Sequence, residues 1–357
     1  MADDIDKLEV AIILVNEGYA STAIGPLEVF ASAGAMWNEM RGAQPEPLFR
    51  VSTASMDGRP VESAYGLRIA PDCALADLGP VDIVMVSASG PMPAEWMTRH
   101  AGLLPWLRKR YNNGTLIAGV CSGVAFLAEA GLLDGRRATT HWGVAETFRT
   151  RYPRVHWRTD LLITEDSGLF CSGGVNAASD LGLYLVERFC GHRVAVEAAR
   201  ALLLDMPRPS QSGYAILPLS RPRGDAQVRK AEDHLSTHFR RDVPTDELAE
   251  LVGMSRRNLV RRFKAATGSR PGSYTQMLRV AAARALLEDG AASIEQVSLS
   301  VGYCDVGFFR RVFKRYSGMP PAAYRDQFGP RRRSWPLRRP NGSRRPSNQA
   351  GCPTGQG

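Results

Sequence analysis

The last third of the chain contains a duplication, and this feature constrains the fold more than any other. Gly253 in the first copy corresponds to Gly302 in the second, 49 residues later. Beyond these glycines the spacing becomes 50, so one residue has been added in the second turn. Two copies of one pattern predict two copies of one structural unit. The pairs related by 50 residues are Phe263 and Phe313, Lys264 and Lys314, Gly268 and Gly318, Pro271 and Pro321, and Tyr274 and Tyr324.

Each copy has the pattern of a helix, a tight turn and a second helix. Gly253 and Gly302 can adopt the left-handed backbone conformation that ends a helix. The apolar residues of each second helix lie four apart and are predicted to face inward. The residues with the spacing of helix caps are Ser255, Asp305 and the capping-box pair Ser293 and Gln296.

The outer side of each second helix is basic. A basic helix in this position suits the major groove of DNA, where arginine binds phosphate or the guanine edge. The alternative is a helical bundle with a solvated charged face, and the duplication of the basic face argues against it. The basic residues are Arg256, Arg257, Arg261 and Arg262 in the first copy, and Arg310, Arg311, Lys314 and Arg315 in the second.

This stretch resembles the DNA-binding domain of AraC/XylS-family transcription regulators over about 100 residues. The matching motifs lie at residues 249–255, 259–263, 283–287, 301–314 and 318–325. The resemblance implies two helix-turn-helix units that enter successive major grooves. Because Val306 and Gly307 offer no side-chain hydrogen bond, the second unit is expected to favour phosphate and thymine-methyl contacts. The DNA-binding residues implied by the resemblance and the basic faces are Arg256, Arg257, Val260, Arg261, Val306, Gly307, Arg310, Arg311 and Lys314.

The first part of the chain alternates short apolar runs with helical patterns. This alternation predicts βαβ units and a parallel sheet that helices cover on both faces. The predicted strands are residues 8–15, 49–52, 81–87, 115–120, 161–164 and 169–172, and the predicted helices are residues 26–35, 105–111 and 175–190.

Within this part, Cys121 lies between Gly119 and Gly123 in a strand–turn–helix pattern. Such a motif is typical of a nucleophile elbow, which lifts the side chain above the sheet at a helix N-terminus, where the thiolate form is favoured. His141 follows 20 residues later and is expected nearby. The alternatives are a small buried thiol and a structural histidine.

The arrangement resembles the DJ-1/PfpI superfamily, related to class I glutamine amidotransferases, with a flavodoxin-like fold. The motifs lie at residues 25–30, 119–123, 128–135 and 139–142. Catalytic members place a glutamate beside the cysteine, and the matching position here holds Thr22. The missing carboxylate argues against an enzyme. The predicted ligand-binding residues are Cys121, Ser122, His141 and Thr22, with no catalytic residue, cofactor or metal.

The distribution of charge also separates the N-terminal α/β part from the C-terminal helical part. Residues 1–221 carry a net charge of −4, residues 222–330 carry +6, and residues 331–357 carry seven Arg and no acidic residue. The predicted boundaries are residues 1–206 for ligand sensing and dimerisation, 207–224 for a linker, 225–329 for DNA binding, and 330–357 for a basic disordered tail. The scattered cysteines and the acidic N-terminus favour the cytoplasm and argue against secretion, and no apolar run is long enough to cross a membrane.

An elbow pocket joined to an AraC-type domain resembles the GlxA-type subgroup of AraC regulators. The expected function is a sequence-specific transcription regulator, favoured to be an activator, that responds to a small metabolite. Its expected partners are double-stranded DNA, the effector, a second copy of the chain and, for an activator, RNA polymerase. Two alternatives remain open: a Cys-dependent hydrolase or hydratase with regulatory DNA binding, and a thiol redox sensor.

Overall fold

The computed structural model describes residues 7–90, 94–215, 225–290 and 292–330. Within these ranges, no helix is both long and apolar enough to cross a membrane. The predicted disordered tail, apart from Pro330, and residues 216–224 of the predicted linker lie outside the described residues.

The N-terminal part is an α/β domain built on one central sheet. Its strands are β1 (Leu8–Ile13), β2 (Phe49–Ser55), β3 (Val61–Glu62), β4 (Arg68–Ile69), β5 (Cys73–Ala74), β6 (Ile83–Val86), β7 (Leu116–Val120), β8 (Arg137–Ala138), β9 (His156–Trp157), β10 (Ile163–Asp166) and β11 (Leu169–Ser172). Its helices are α1 (Ser21–Ser32), α2 (Met36–Met40), α3 (Ala94–Arg99), α4 (Leu103–Asn112), α5 (Val124–Glu129), α6 (Ala145–Arg151), α7 (Ala177–Cys190) and α8 (His192–Leu202).

Seven of the described strands form the central sheet, in the order β10-β11-β7-β6-β1-β2-β5. All neighbours are parallel except β10 and β11. Side chains of β1 alternate between two apolar clusters: Ala11 and Ile13 pack on one side, and Val10 and Ile12 on the other. This is the doubly covered, flavodoxin-like sheet that the sequence predicts.

The carboxyl ends of β1, β6, β7 and β11 meet at one edge of the sheet because these strands run parallel. After β1 the chain passes to β2 on one side, and it later returns to β6 on the other side. The carboxyl ends of β1 and β6 are therefore a topological switch point, and open α/β sheets bind ligands in the crevice outside such strand ends.

The C-terminal part is helical throughout its described residues. Its helices are α9 (Ala226–His238), α10 (Thr245–Leu251), α11 (Arg256–Thr267), α12 (Pro271–Asp289), α13 (Ile294–Ser300), α14 (Val306–Ser317) and α15 (Pro321–Phe328). The pairs α10–α11 and α13–α14 are the two predicted helix-turn-helix units, and α12 links them.

The duplication extends to the packing of each unit. Phe263 meets Tyr274 edge to face with 5.3 Å between ring centroids, and Phe313 meets Tyr324 in the same way at 5.4 Å. All four side chains are buried. Each aromatic pair fixes the second helix of a unit against the helix that follows it.

Some predicted elements differ from the structure at their ends. Helix α1 begins at Ser21 and contains Pro26, where the sequence predicts a start at residue 26. Proline restricts the residues before it, which favoured the later start, but tertiary packing holds the first turn in place. The sequence analysis also misses α8, whose apolar side packs on the core formed with α1 and α7.

Candidate ligand pocket and nucleic-acid interface

Cys121 directly follows β7 and has a backbone φ of +54°, in the left-handed region that non-glycine residues seldom adopt. Gly123 is required for the tight turn, because a Cβ at this position would lie 2.5 Å from the backbone oxygen of Ser87. A Cβ on Gly119 would lie 3.0 Å from the Cα of Val124. The two glycines therefore let the elbow pack against the loop after β6 and against the helix that follows.

Burial dominates the environment of the Cys121 thiol. Its side chain is only 7% exposed, and burial raises the pKa of Cys121 to about 11, against the lowering effect of hydrogen bonding to Ser122. The expectation that the helix N-terminus favours the thiolate is therefore wrong, because burial outweighs it. A buried thiol with a raised pKa also argues against the redox-sensor alternative.

Thr22 and Ser122 both contact the loop that follows β6. The Thr22 hydroxyl donates to the backbone oxygen of Tyr19 at 2.6 Å and accepts from the amide of Ala88 at 3.0 Å. The Ser122 hydroxyl donates to the backbone oxygen of Ser89. Thr22 is fully buried, so its hydroxyl serves these internal hydrogen bonds.

His141 lies beside the elbow because its neighbour in sequence, Thr140, is hydrogen-bonded to Cys121. The buried Thr140 hydroxyl donates to the backbone oxygen of Cys121 at 2.8 Å. The Nδ1 atom of His141 accepts from the amide of Gly143 at 3.0 Å, which places the proton of the neutral ring on Nε2. Burial lowers the pKa of His141, so the ring is neutral at pH 7 and can donate to an acceptor of a ligand.

A small cleft opens next to Thr22, at the switch point between β1 and β6. Its volume is only about 10 Å³, and its lining includes Tyr19, Ala23, Val61 and Ser87 but none of the four predicted ligand-binding residues. Hydrogen bonds to the loop after β6 and to Cys121 nevertheless place Thr22, Cys121, Ser122 and His141 at the same edge of the sheet. Within the described residues, no cluster of three metal-ligating side chains is present.

The two helix-turn-helix units are capped as the sequence predicts. Gly253 and Gly302 have φ values of +65° and +89°. Ser255 accepts from the amide of Asn258 to begin α11, and Asp305 accepts from Phe308 to begin α14. The capping box of Ser293 and Gln296 at the start of α13 is also present.

The basic faces of α11 and α14 are exposed, but some of their arginines already form ion pairs within the domain. Arg262 is partly buried and forms a bidentate ion pair with Asp225, so it supports the fold. Arg256 pairs with Asp246, and Arg310 pairs with Glu295. The remaining predicted side chains are exposed at Arg257, Arg261, Arg311 and Lys314 and half-buried at Val260 and Val306, and Gly307 is exposed.

The sequence analysis misses one prominent residue of this surface. The Phe308 ring is 42% exposed in the first turn of α14, and the Arg311 guanidinium lies 5.7 Å from its centre. Its position corresponds to Asn258 in the first copy, so alignment of the two copies is the signal that could have revealed it. An exposed aromatic beside the basic face adds an apolar contact surface to the second unit.

An α/β domain with an elbow site, followed by two capped helix-turn-helix units with basic outer faces, defines a DNA-binding regulator. Comparisons with known proteins agree: residues 9–188 match the DJ-1/PfpI family, and residues 248–327 match the helix-turn-helix domain. The chain belongs to the HTH-type transcriptional regulators that join a DJ-1/PfpI domain to an AraC-type DNA-binding domain. The predicted fold class and family are thereby confirmed.

Three relatives illustrate the range of this similarity. The chain is 32% identical to the HTH-type transcriptional regulator CdhR of Pseudomonas aeruginosa, covering 76% of this chain and 81% of the relative. It is 26% identical to the HTH-type transcriptional regulator GlxA of Rhizobium meliloti, covering 79% and 87%. It is 27% identical to the isonitrile hydratase of Pseudomonas putida, covering 62% of this chain and 92% of that enzyme. The DJ-1/PfpI part is therefore shared by regulators and by an enzyme.

Proposed function

We propose that the protein is a ligand-responsive transcription activator without enzymatic activity. Residues 1–206 sense the ligand and dimerise, residues 207–224 link the domains, residues 225–329 bind DNA, and residues 330–357 add a basic tail. The protein acts in the cytoplasm as a homodimer, and as an activator it contacts RNA polymerase. The observation that carries the proposal is an elbow whose thiol is buried and protonated, on the same chain as two capped helices with exposed arginines.

The effector is proposed to bind at the edge of the sheet lined by Thr22, Cys121, Ser122 and His141. The adjacent cleft has a volume of about 10 Å³, room for about one water molecule, so a ligand at this edge would have to displace the side chains that line it, and a compact metabolite is favoured. The neutral His141 ring supplies a hydrogen-bond donor at Nε2. Compact ligands that carry an acceptor are therefore the first class to screen.

A thermal-shift screen of small metabolites tests ligand binding. A ligand present at 100 times its Kd stabilises the folded protein by about 2.7 kcal/mol, which gives a clear rise in Tm. The His141→Ala variant should lose most of that rise, whereas His156→Ala, which changes an exposed histidine on β9, should retain it. A rise that is equal in both variants would place the ligand elsewhere.

DNA binding is proposed to use Arg256, Arg257, Val260 and Arg261 from α11, and Val306, Gly307, Arg310, Arg311 and Lys314 from α14. The test is a titration at fixed salt of the gene's own upstream region against random DNA of equal length. Arg311→Ala should weaken specific binding by about 1–3 kcal/mol if the side chain reads a base. The control is Arg154→Ala, which removes the same charge from the α/β domain. Equal affinities for both DNAs would refute sequence-specific recognition.

One observation favours an enzyme as the second candidate: Cys121 has the backbone conformation of a nucleophile elbow. The Cys121 thiol would add across the isonitrile carbon to form a thioimidate, and water would then attack that carbon and release the thiol and an N-substituted formamide. The absence of a carboxylate at Thr22 and the raised pKa of the thiol oppose it. Turnover of an isonitrile that disappears in Cys121→Ser would establish this activity, and absence of turnover supports the regulator alone.

A further inference from the structure

Residues 208–215, here called the strap, run between the α/β domain and the DNA-binding domain. They contain no helix and pair only through a bridge between Ser210 and Leu161. Gln211 in the middle of the strap is nevertheless only 2% exposed. A glutamine is buried only when its polar groups are satisfied, so its hydrogen bonds show what the strap holds.

On the α/β side, Gln211 binds the loop that carries His141. Its Nε2 donates to the backbone oxygen of Thr140 at 2.8 Å, and its Oε1 accepts from the amide of Trp142 at 3.1 Å. Nε2 also donates to the hydroxyl oxygen of Thr139 at 3.2 Å and to the backbone oxygen of Leu161 at 3.1 Å. Because the Thr140 hydroxyl is bonded to Cys121, Gln211 is two hydrogen bonds away from the elbow.

On the other side, the strap is bound by Arg284 of α12, which is 7% exposed. Its guanidinium donates to the backbone oxygens of Ser212 at 2.8 Å and Ala215 at 2.6 Å. The same guanidinium donates to Ser317 Oγ at 3.1 Å and to the backbone oxygen of Tyr316 at 3.2 Å. Arg284 therefore joins the strap to the last turn of α14, the second DNA-binding helix.

A parallel connection runs from α7 to α15 through the same strap. Arg208 forms a bidentate ion pair with the nearly buried Asp180, and it also donates to the hydroxyl of Tyr214 at 2.8 Å. That hydroxyl accepts from Gln327. The two connections fix the strap at both domains, so it cannot shift at one end without straining bonds at the other.

We infer that the strap is a mechanical link that transmits the state of the pocket to the second helix-turn-helix unit, with Gln211 and Arg284 as its positioning residues. The inference rests on the proposed function for the identity of the pocket. A ligand that moves His141 displaces the loop held by Gln211, and the strap carries this displacement to Arg284 and the end of α14. The coupling requires the ligand to favour one placement of the strap over the other.

Hydrogen–deuterium exchange of the full chain, without effector or DNA, tests the link directly. In Arg284→Met, the amide of Trp142, which donates to Gln211, should exchange about tenfold faster or more, because the strap is released at its far end. The control is Arg279→Met, which removes an equally buried arginine of α12 whose bonds go to Phe239 and Asp242 within the DNA-binding domain. This control should leave Trp142 unchanged.

The reciprocal experiment uses Gln211→Leu and reads residues 314–318 at the end of α14. Exchange there should rise about tenfold, whereas Asn38→Leu, which removes an amide that donates to the backbone oxygens of Gly34 and Gln44, should have no effect. If Arg284→Met proves unstable, Arg284→Lys retains the charge and removes the forked geometry. Unchanged exchange at both distant sites in folded variants would overturn the inference. Since no ligand is used, that result would leave the proposed sensor function intact, and a failed metabolite screen would leave the link intact.

Discussion

Alkylation of Cys121 gives a quantitative test of the elbow. Burial raises the pKa of this thiol from the ordinary 9.0 to about 11. Only the thiolate reacts. A pKa of about 11 instead of 9.0 therefore reduces the thiolate fraction at pH 8 about 100-fold. The low exposure of the side chain slows the reaction further.

The chain contains its own reference thiols for this measurement. Cys304 is exposed two residues before α14, and Cys171 is fully buried in β11 with its pKa raised to about 12. Under iodoacetamide at pH 8, peptide mass spectrometry should show labelling in the order Cys304, Cys121, Cys171. The rate at Cys121 should rise about tenfold per pH unit between pH 8 and pH 10, because its thiolate fraction does so.

A different order would refute the reasoning. If Cys121 reacted as fast as Cys304, burial would not be suppressing its thiolate, and if its rate were flat above pH 8, the thiol would already be ionised at that pH. The buried, protonated elbow would then be wrong, and the enzyme and redox-sensor alternatives would regain their main support. The Cys121→Ser variant identifies the labelled peptide and controls for unspecific reaction.

Three further predictions concern the DNA-binding domain. Gly302→Ala should destabilise it much more than Gly253→Ala, because a Cβ would lie 2.0 Å from the backbone oxygen of Arg240 in the first case and meets nothing within 4 Å in the second; equal midpoints in urea would contradict this. Ser293→Ala should cost about 1 kcal/mol, seen as a fall in Tm of the domain, because the capping box is lost; an unchanged Tm would show that the cap does not stabilise it. Arg257→Ala should reduce the slope of log affinity against log salt by about one if the side chain binds phosphate, and an unchanged slope would show that it does not.

Much of this fold follows from local patterns. The turns at Gly253 and Gly302 and the caps at Ser255 and Asp305 each depend on a residue type that its own backbone position requires. Such features depend on neighbours in sequence, so they can be predicted without knowing the tertiary structure.

The strap could not be predicted in the same way. Its proline- and serine-containing sequence favours an irregular linker, and nothing local shows that Gln211 is buried. Its partners are about 50 to 70 residues away in sequence, in a loop of the α/β domain. The raised pKa of Cys121 is missed for a similar reason, because burial is a property of the whole domain while the helix N-terminus is visible locally.

The duplicated units show which features both copies share and which features differ between them. The caps and the two aromatic pairs are retained in both copies because each unit needs them to fold. The outer faces differ: Arg261 donates to Asn258 at 3.0 Å, and the corresponding Arg311 lies over the ring of Phe308. We therefore expect the first helix to form hydrogen bonds with base edges, and we expect the second, with an exposed ring beside Gly307, to favour apolar contact with thymine methyl groups. The copies therefore share a fold and differ in the chemistry they present, and we predict that the two DNA segments they contact differ in sequence.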